Sequence, residues 1–166
     1  TNSDPYGSSG GHLRLRSFDG SRVSVTFDGV PLNDTGNYAL FTNQMLDPEL
    51  ISAVDVNLGT TDVDSPTASA TGGSVAHRTR NPSQELGGTA VVSKGDFGYS
   101  RLFGVIDSGE LGRWKTTAFL AGSYQSYNKF KGPGGLQKKQ INAKLHQDLG
   151  DLGFMSVGFH FNRNRN

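Results

Sequence analysis

The sequence contains no cysteine, and this absence removes several kinds of chemistry at once. Disulfide bonds, thiolate zinc sites and thiol nucleophiles are all excluded. Charged residues make up only 19% of the 166 residues, below the roughly 25% of ordinary soluble domains. Sixteen basic residues against 15 acidic ones give a net charge of +1. This balance gives no reason to expect nucleic acid as a partner.

Long hydrophobic runs are also lacking. Residues 1–5 are polar and do not have the layout of a signal peptide. No apolar run approaches the roughly 18 residues of a membrane helix. A spanning β-barrel stays open, because its strands carry only an alternating signal. Residues 159–163 still alternate near the last residue, so we expect the chain to be a piece of a longer polypeptide.

Glycine is abundant, at 23 residues, and aromatic residues reach 10%, which together favour short strands joined by tight turns. The triplet Phe-Asp-Gly occurs twice, at 18–20 and 27–29, and predicts two strand ends. Residues 60–73 have the composition of a loop, and residues 79–88 that of a linker. The strands predicted in the first half cover residues 12–18, 23–27, 53–58 and 74–76.

Two short helical stretches are predicted between these strands. Residues 40–46 could form one or two helical turns. Asp47 is placed to cap a second helix, Pro48 suits its first position and Glu49 suits its positive dipole end.

The second half predicts five antiparallel strands, so the expected fold class is mainly β. The predicted strands are residues 87–95, 99–109, 114–128, 138–148 and 154–163. On the last two, apolar and polar residues alternate, which predicts one apolar and one polar face. The predicted apolar face holds Ile141, Ala143, Leu145, Met155, Val157, Phe159 and Phe161. Connections at 110–113 and 150–153 are short, and the one at 129–137 is longer. This pattern describes the wall of a transmembrane barrel, and it also describes a soluble β-meander, which is the commoner structure a priori.

Enzyme motifs are sparse. None of the four histidines is spaced from another as metal ligands are, and no serine lies in a nucleophile elbow. Asp62 and Asp64 begin like a calcium loop, but Pro66 occupies the third ligand position. The glycine-rich residues 132–135 lack the Lys and Ser/Thr of a phosphate loop. We therefore predict no catalytic residue, no metal site and no cofactor.

Three segments together resemble the plug domain of TonB-dependent outer-membrane receptors. Residues 13–34 are similar to that family's "I-R-G-F … V-x-V-x-I-D-G-V-P" pattern. Residues 48–56 resemble "P-x-x-I-E-R-V-E-V", and residues 72–82 resemble "G-G-V-I-N-I-V-T-K-x-P", where the plug ends and the barrel begins. The resemblance implies a plug domain over residues 1–82, with its N-terminal part missing, and the first barrel strands over residues 83–166.

The sequence departs from the family pattern at three places. Ser17 stands where the family usually has glycine, and Asp55 where it has glutamate. Residues 58–60 replace the family's Arg-Gly-Pro, so an arginine that commonly pairs with barrel acids is absent. The resemblance leaves Arg16 as the residue for a plug–barrel ion pair.

The resemblance implies a non-enzymatic receptor that binds a scarce nutrient at the surface of a Gram-negative bacterium and imports it across the outer membrane. The implied partners are a small-molecule nutrient, outer-membrane lipid and a TonB-type energy-coupling protein, which would act through a segment absent from this chain. The substrate itself is not implied, because one scaffold serves many ligands. The alternative is a non-enzymatic, soluble, β-rich binding domain of a periplasmic or surface protein.

The resemblance also places the ligand. In the family, the loop after the I-R-G-F strand and the loop after the D-G-V-P strand reach toward the extracellular side. Transferred by position, the expected ligand-binding residues are Asp19, Gly20, Ser21, Gly36, Asn37 and Tyr38. Two ordinary turns explain the same residues, since Asp-Gly and Gly-Asn are turn dipeptides.

Overall fold

The computed structural model describes residue 6 and residues 13–59, 70–130 and 132–165. The chain forms two units, residues 1–80 and residues 81–166. Most of the loop predicted at 60–73 lies outside the described residues, and so do Asp62, Asp64 and His12. No helix among the described residues is long and apolar enough to cross a membrane.

The first unit contains two small sheets. Strands β1 (Arg14–Leu15) and β2 (Phe18–Asp19) form a hairpin. Four further strands are β3 (Ser24–Phe27), β4 (Val30–Pro31), β5 (Ile51–Leu58) and β6 (Gly73–Thr79). They form a mixed sheet in the order β4-β3-β6-β5, in which β3 and β6 run parallel. The strands predicted at 23–27, 53–58 and 74–76 are confirmed, although β6 also takes in Gly73 and Thr79 from the predicted loop and linker. The single strand predicted at 12–18 was wrong, because positive φ at Arg16 and Ser17 turns the chain there and separates β1 from β2.

The predicted helical turns are present as short 3-10 helices, at Thr42–Gln44 and Pro48–Leu50. One detail was wrong: Asp47 precedes the second helix, but its side chain makes no capping hydrogen bond. Pro48 has no N–H to offer, and the Leu50 N–H already donates to the Asp47 carbonyl at 3.0 Å.

A small aliphatic core holds the first unit together. Val23 and Val25 on alternate positions pack with Val75 of β6, and all three are buried. Each such side chain contributes about 1.5–3 kcal/mol relative to an exposed one. The residues that pack against this cluster are Leu13, Leu15, Leu32, Leu40 and Met45.

The Asp28-Gly29 turn explains the second Phe-Asp-Gly triplet. It joins β3 to β4 in a two-residue hairpin, with φ of +47° at Asp28 and +85° at Gly29. Positive φ at both positions is the geometry that Asp-Gly favours in tight hairpins. The Asp28 carboxylate also accepts hydrogen bonds from the backbone N–H and the hydroxyl of Thr79. The turn thereby ties the end of β6 to the β3–β4 hairpin.

Gly73 begins β6 at a point where the chain leaves no room for a side chain. Its φ is +122°, and a Cβ there would lie 2.3 Å from the Asn57 carbonyl oxygen. A Cβ on the preceding Gly72 would lie 2.8 Å from the Cβ of Phe18. The Gly-Gly pair of the plug-like pattern is therefore required by close backbone approach.

Ser17 provides a test of the β1–β2 turn. The residue has φ of +75°, a conformation that strains any side chain and that glycine adopts freely. We expect Ser17→Gly to raise the free energy of unfolding by about 0.5–1 kcal/mol, after allowing for glycine's greater freedom when unfolded. Urea unfolding measures the change.

The matched control is Ser74→Gly, inside strand β6, which should lower stability by about 0.5–1 kcal/mol. If both glycines destabilise the protein to the same extent, strain at Ser17 is not the cause.

The second unit is a single antiparallel sheet whose strands follow chain order. It contains β7 (Leu86–Gly95), β8 (Tyr99–Ser108), β9 (Thr117–Asn128), β10 (Gly135–Asp148) and β11 (Phe154–Arg165). All five predicted strands are confirmed. Strand β9 begins three residues later than predicted, because residues 111–116 form a turn closed by a Leu111–Thr116 bridge. Strand β10 begins three residues earlier, so the longer connection covers residues 129–134.

The two faces of this sheet differ sharply in composition. Along one face, which we call the apolar face, large aliphatic and aromatic side chains are exposed. Its members include Val92, Leu102, Ile106, Leu120, Ile141, Leu145, Met155, Val157, Phe159 and Phe161. Register confirms that they share a face, since Ile141 lies opposite Phe161 and Leu145 opposite Val157. The other face is buried and mixed in composition. It holds the polar residues Arg101, Asp107, Gln140, Asn142 and Lys144 and the apolar residues Phe103, Val105, Phe119 and Ala121.

Candidate ligand-binding site

The first candidate loop begins at Asp19, directly after β2. Asp19 is the N-cap of a 3-10 helix over Gly20–Arg22, and its Oδ1 accepts from the Ser21 N–H at 3.2 Å and the Ser21 hydroxyl at 2.5 Å. The hydrogen bond from the Ser21 hydroxyl is the main cause that holds the pKa of Asp19 below its ordinary value. The Ser21 N–H and the nearby Arg22 and Arg14 act in the same direction, against some desolvation. The loop therefore presents an ionised carboxylate with a fixed orientation.

The second candidate loop is residues 34–39, which follow β4. The Asp34 Oδ1 accepts from the backbone N–H groups of Gly36 (2.8 Å) and Asn37 (3.1 Å). The Asp34 N–H donates to the Ala39 carbonyl and the Tyr38 N–H donates to the Asp34 carbonyl. Asn37 Oδ1 accepts from the Ala39 N–H at 2.9 Å, and Tyr38 has φ of +56°. These bonds fix the loop before any ligand arrives.

Asn33 joins the two loops. Its side chain is buried, and its Oδ1 accepts from the Val25 N–H at 2.8 Å. Its Nδ2 lies within 3.0–3.2 Å of three carbonyl oxygens, those of Gly20, Val23 and Tyr38. Two amide hydrogens are thus shared among three acceptors. Because Gly20 and Tyr38 both contact one nitrogen atom, the structure brings the two predicted loops side by side.

The predicted residues differ in what they offer a ligand. Asp19, Gly36 and Asn37 are exposed, while Gly20, Ser21 and Tyr38 are partly buried. The exposed Asn37 amide can donate and accept, and Tyr38 adds an aromatic ring with a hydroxyl. Arg16, predicted to form a plug–barrel ion pair, is exposed in the turn between β1 and β2, with φ of +50°.

Sequence reasoning gave Asn33 no role, although it lies within the quoted motif. Nothing in the local sequence distinguishes it from the neighbouring Asp34, since both residues are common in turns. Asn33 is buried because residues 33–38 pack against β3, and Asp34 forms the turn instead.

The remaining histidines of the part of the chain that the structure describes lie outside the two loops. No group of three or more His, Asp or Glu residues in that part of the chain could hold a metal ion. His77 is buried in β6 and stacks on Phe27. His146 and His160 bond instead to neighbours across β10 and β11, namely Ser156 (2.7 Å) and Asn142 (3.1 Å).

Comparisons with known proteins agree with the resemblance found in the sequence. Residues 1–74 match the family model of the TonB-dependent receptor plug domain. No curated protein matches the chain.

Solved structures show the fold of both units in known receptors. The pyoverdine outer-membrane receptor FpvA of Pseudomonas aeruginosa PAO1, bound to pyoverdine, is 20% identical over 92% of this chain, with a TM-score of 0.76. FpvAI in complex with pyocin S2 is 19% identical over 92%, also with a TM-score of 0.76. The ferripyoverdine receptor of the P. aeruginosa outer membrane is 18% identical over 90%, with a TM-score of 0.72. This chain covers 20–22% of those receptor chains, and it has the fold of their plug followed by a fragment of their barrel.

Proposed function

We propose that this chain, which resembles a TonB-dependent receptor from plug to first barrel strands, is part of an outer-membrane transporter of a Gram-negative bacterium. In this proposal residues 1–82 are plug and residues 83–166 are barrel wall. The plug binds a small nutrient near its two joined loops, and a TonB-type energy-coupling protein moves the plug to admit it. The plug-domain match over residues 1–74 is the observation that carries the proposal.

The exposed apolar face supports the membrane part of the proposal. A soluble β-meander would cover such a face or make it polar, because water-soluble proteins rarely expose large apolar patches. Here Ile106 and Leu120, which lie opposite each other on β8 and β9, are 66% and 60% exposed. An outward-facing apolar band of this kind is typical of an outer-membrane barrel, in which it contacts lipid.

The joined loops support the ligand part of the proposal. They offer an ionised carboxylate at Asp19, an exposed amide at Asn37 and a phenol at Tyr38 on a preorganised frame. Preorganised groups bind with a smaller loss of conformational entropy. Because the solved receptors of this fold include one bound to ferripyoverdine, iron–siderophore complexes are the first ligand class to test.

The test uses side-chain changes that keep the loop intact. Asn37→Asp preserves the acceptor for the Ala39 N–H, removes the amide donor and adds a negative charge, and Tyr38→Phe removes only the hydroxyl. In the full-length protein we expect the double variant to bind its nutrient about 10- to 100-fold more weakly, since each lost hydrogen bond contributes about 0.5–1.5 kcal/mol. Binding of a panel of labelled siderophores to whole cells, with the amount of receptor measured by immunoblot, gives the result.

Asn57→Asp and Tyr124→Phe are the matched control, since both residues lie outside the two loops, on β5 and β9. The control should bind like the unmodified protein. Unchanged affinity in the loop variant would place the ligand elsewhere in the receptor.

A further inference from the structure

The apolar face of the second unit's sheet ends in charged residues on one side. Register divides this face into rows of residues that lie opposite one another across the five strands. One central row consists of Ala90, Gly104, Gly122, Ile141 and Phe161. The next row toward the β7–β8 turn consists of Val92, Leu102, Tyr124, Lys139 and Arg163. The apolar surface therefore meets basic side chains at that row.

Every formal charge on the apolar face of the five strands is positive. The four residues are Lys94, Lys139, Arg163 and Arg165, and all are exposed. They lie in that row or the row beyond it, where Lys94 and Arg165 sit on β7 and β11. The acidic residues within these strands, Asp107 and Asp148, occupy the alternate positions of β8 and β10 that face the other way. We call Lys139, Arg163 and Arg165 the cationic end.

The cationic end holds like charges close together. Lys139 and Arg163 are direct cross-strand partners, a position in which side chains lie about 5 Å apart at Cβ and like charges repel. Arg165 follows two positions along the same face, roughly 7 Å further. Among the described residues no carboxylate lies within 4.0 Å of any of the three. The Lys139 ammonium lies over the Tyr124 ring at 5.4 Å, which orients it without neutralising it.

We propose that the cationic end binds the phosphate of a membrane lipid whose acyl chains lie on the adjoining apolar face. A phosphate group would relieve the repulsion between Lys139 and Arg163, and arginine suits it because its planar fork can donate two hydrogen bonds. Tyr124 would lie where the headgroup meets the chains, the depth at which tyrosine is favoured. Because the cationic end adjoins the apolar face, a lipid can contact both at once through its phosphate and its acyl chains. A free phosphate ion would contact only the cationic side chains.

This inference depends on the proposed function, because it needs the apolar face to contact lipid. The experiment uses the full-length protein reconstituted in phosphatidylcholine vesicles with a small fraction of phosphatidic acid or of diacylglycerol with the same chains. Association of each labelled lipid with the protein is measured by energy transfer from protein tryptophan. We expect a preference for phosphatidic acid that falls about 30-fold in K139Q/R163Q and about 5-fold in R165Q.

The chain offers a matched control at the opposite end of the sheet. Lys115 and Arg113 lie in the turn before β9, and Lys115 is already paired with Glu110 at 3.5 Å. K115Q/R113Q removes the same two charge types and should keep the preference, as should the charge-conserving variant K139R/R163K. If K139Q/R163Q fails to insert into the vesicles, R165Q still tests the proposal.

An unchanged preference in K139Q/R163Q or R165Q overturns the proposal. Displacement of the lipid by inorganic phosphate at matched concentration also overturns it, because the apolar part of the contact would then contribute nothing. If the protein inserts and binds its nutrient through Asn37 and Tyr38 but shows no lipid preference, only this inference fails. If it does not insert at all, the proposed function fails with it.

Discussion

Replacing Asn33 by aspartate is expected to lower the free energy of unfolding of the first unit by about 3–5 kcal/mol, the cost of leaving a buried charge uncompensated. The Asn33 Nδ2 donates toward the carbonyls of Gly20, Val23 and Tyr38. A carboxylate oxygen in its place would face three acceptors with no hydrogen to share. Domains of this size have only about 5–15 kcal/mol of stability in total, so the loss is large. Urea unfolding, with hydrogen exchange over residues 19–39, measures it.

The same substitution four residues later is the control. Asn37 is exposed and uses its Oδ1 only as an acceptor, from the Ala39 N–H, so an aspartate there keeps the bond. We expect Asn37→Asp to change stability by no more than about 0.5 kcal/mol. Equal effects at the two positions would mean that the three carbonyl contacts of Asn33 do not hold the loops. If they do hold them, faster exchange in Asn33→Asp should appear in both loops at once.

The sheet of the second unit could be predicted from sequence because its signal is local. Alternation with period 2 lies within each strand, and the Asp-Leu-Gly that follows β10 marks a turn without reference to any distant residue. The same alternation predicted which side chains share a face, as the pairing of Ala143 with Phe159 confirms. Short strands of the first unit, such as Ser24–Phe27, were found for the same reason.

The error at the start of β9 arose where a distant contact decides the structure. Strand β9 was predicted to include Trp114, but the Trp114 carbonyl accepts from the side chain of Gln147, 33 residues away. The Thr116 hydroxyl also bonds to Gln147. These contacts hold residues 111–116 in a turn, and no pattern within that segment shows them.

One part of the candidate site follows from local sequence, and the other part depends on contacts between distant residues. The turns at Asp19 and at Gly36 were visible as turn dipeptides, since Asp-Gly and Gly-Asn carry a local preference. Their proximity depends on Asn33, whose partners lie 5, 10 and 13 residues away in sequence. Sequence reasoning therefore supplied the two halves of the site, and the buried amide that joins them required the structure.

Replacing Leu120 by arginine is expected to lower the stability of the membrane-inserted protein by about 2–4 kcal/mol, if the apolar face contacts lipid near the bilayer midplane. Leu120 lies on the inner strand β9, in the row that contains Ile106, Ala143 and Phe159, with a further apolar row on either side. An arginine at this position would have to lose its hydrating water or carry water into the hydrocarbon of the bilayer. On a water-facing sheet the same change would be nearly neutral, because Leu120 is already 60% exposed.

Leu152→Arg is the control. Leu152 is 89% exposed in the turn before β11, and its replacement should change the stability by no more than about 0.5 kcal/mol, whether the sheet faces lipid or water. Urea unfolding from lipid vesicles separates the two readings of the sheet, since a neutral Leu120→Arg in lipid would favour the soluble β-meander over the barrel wall.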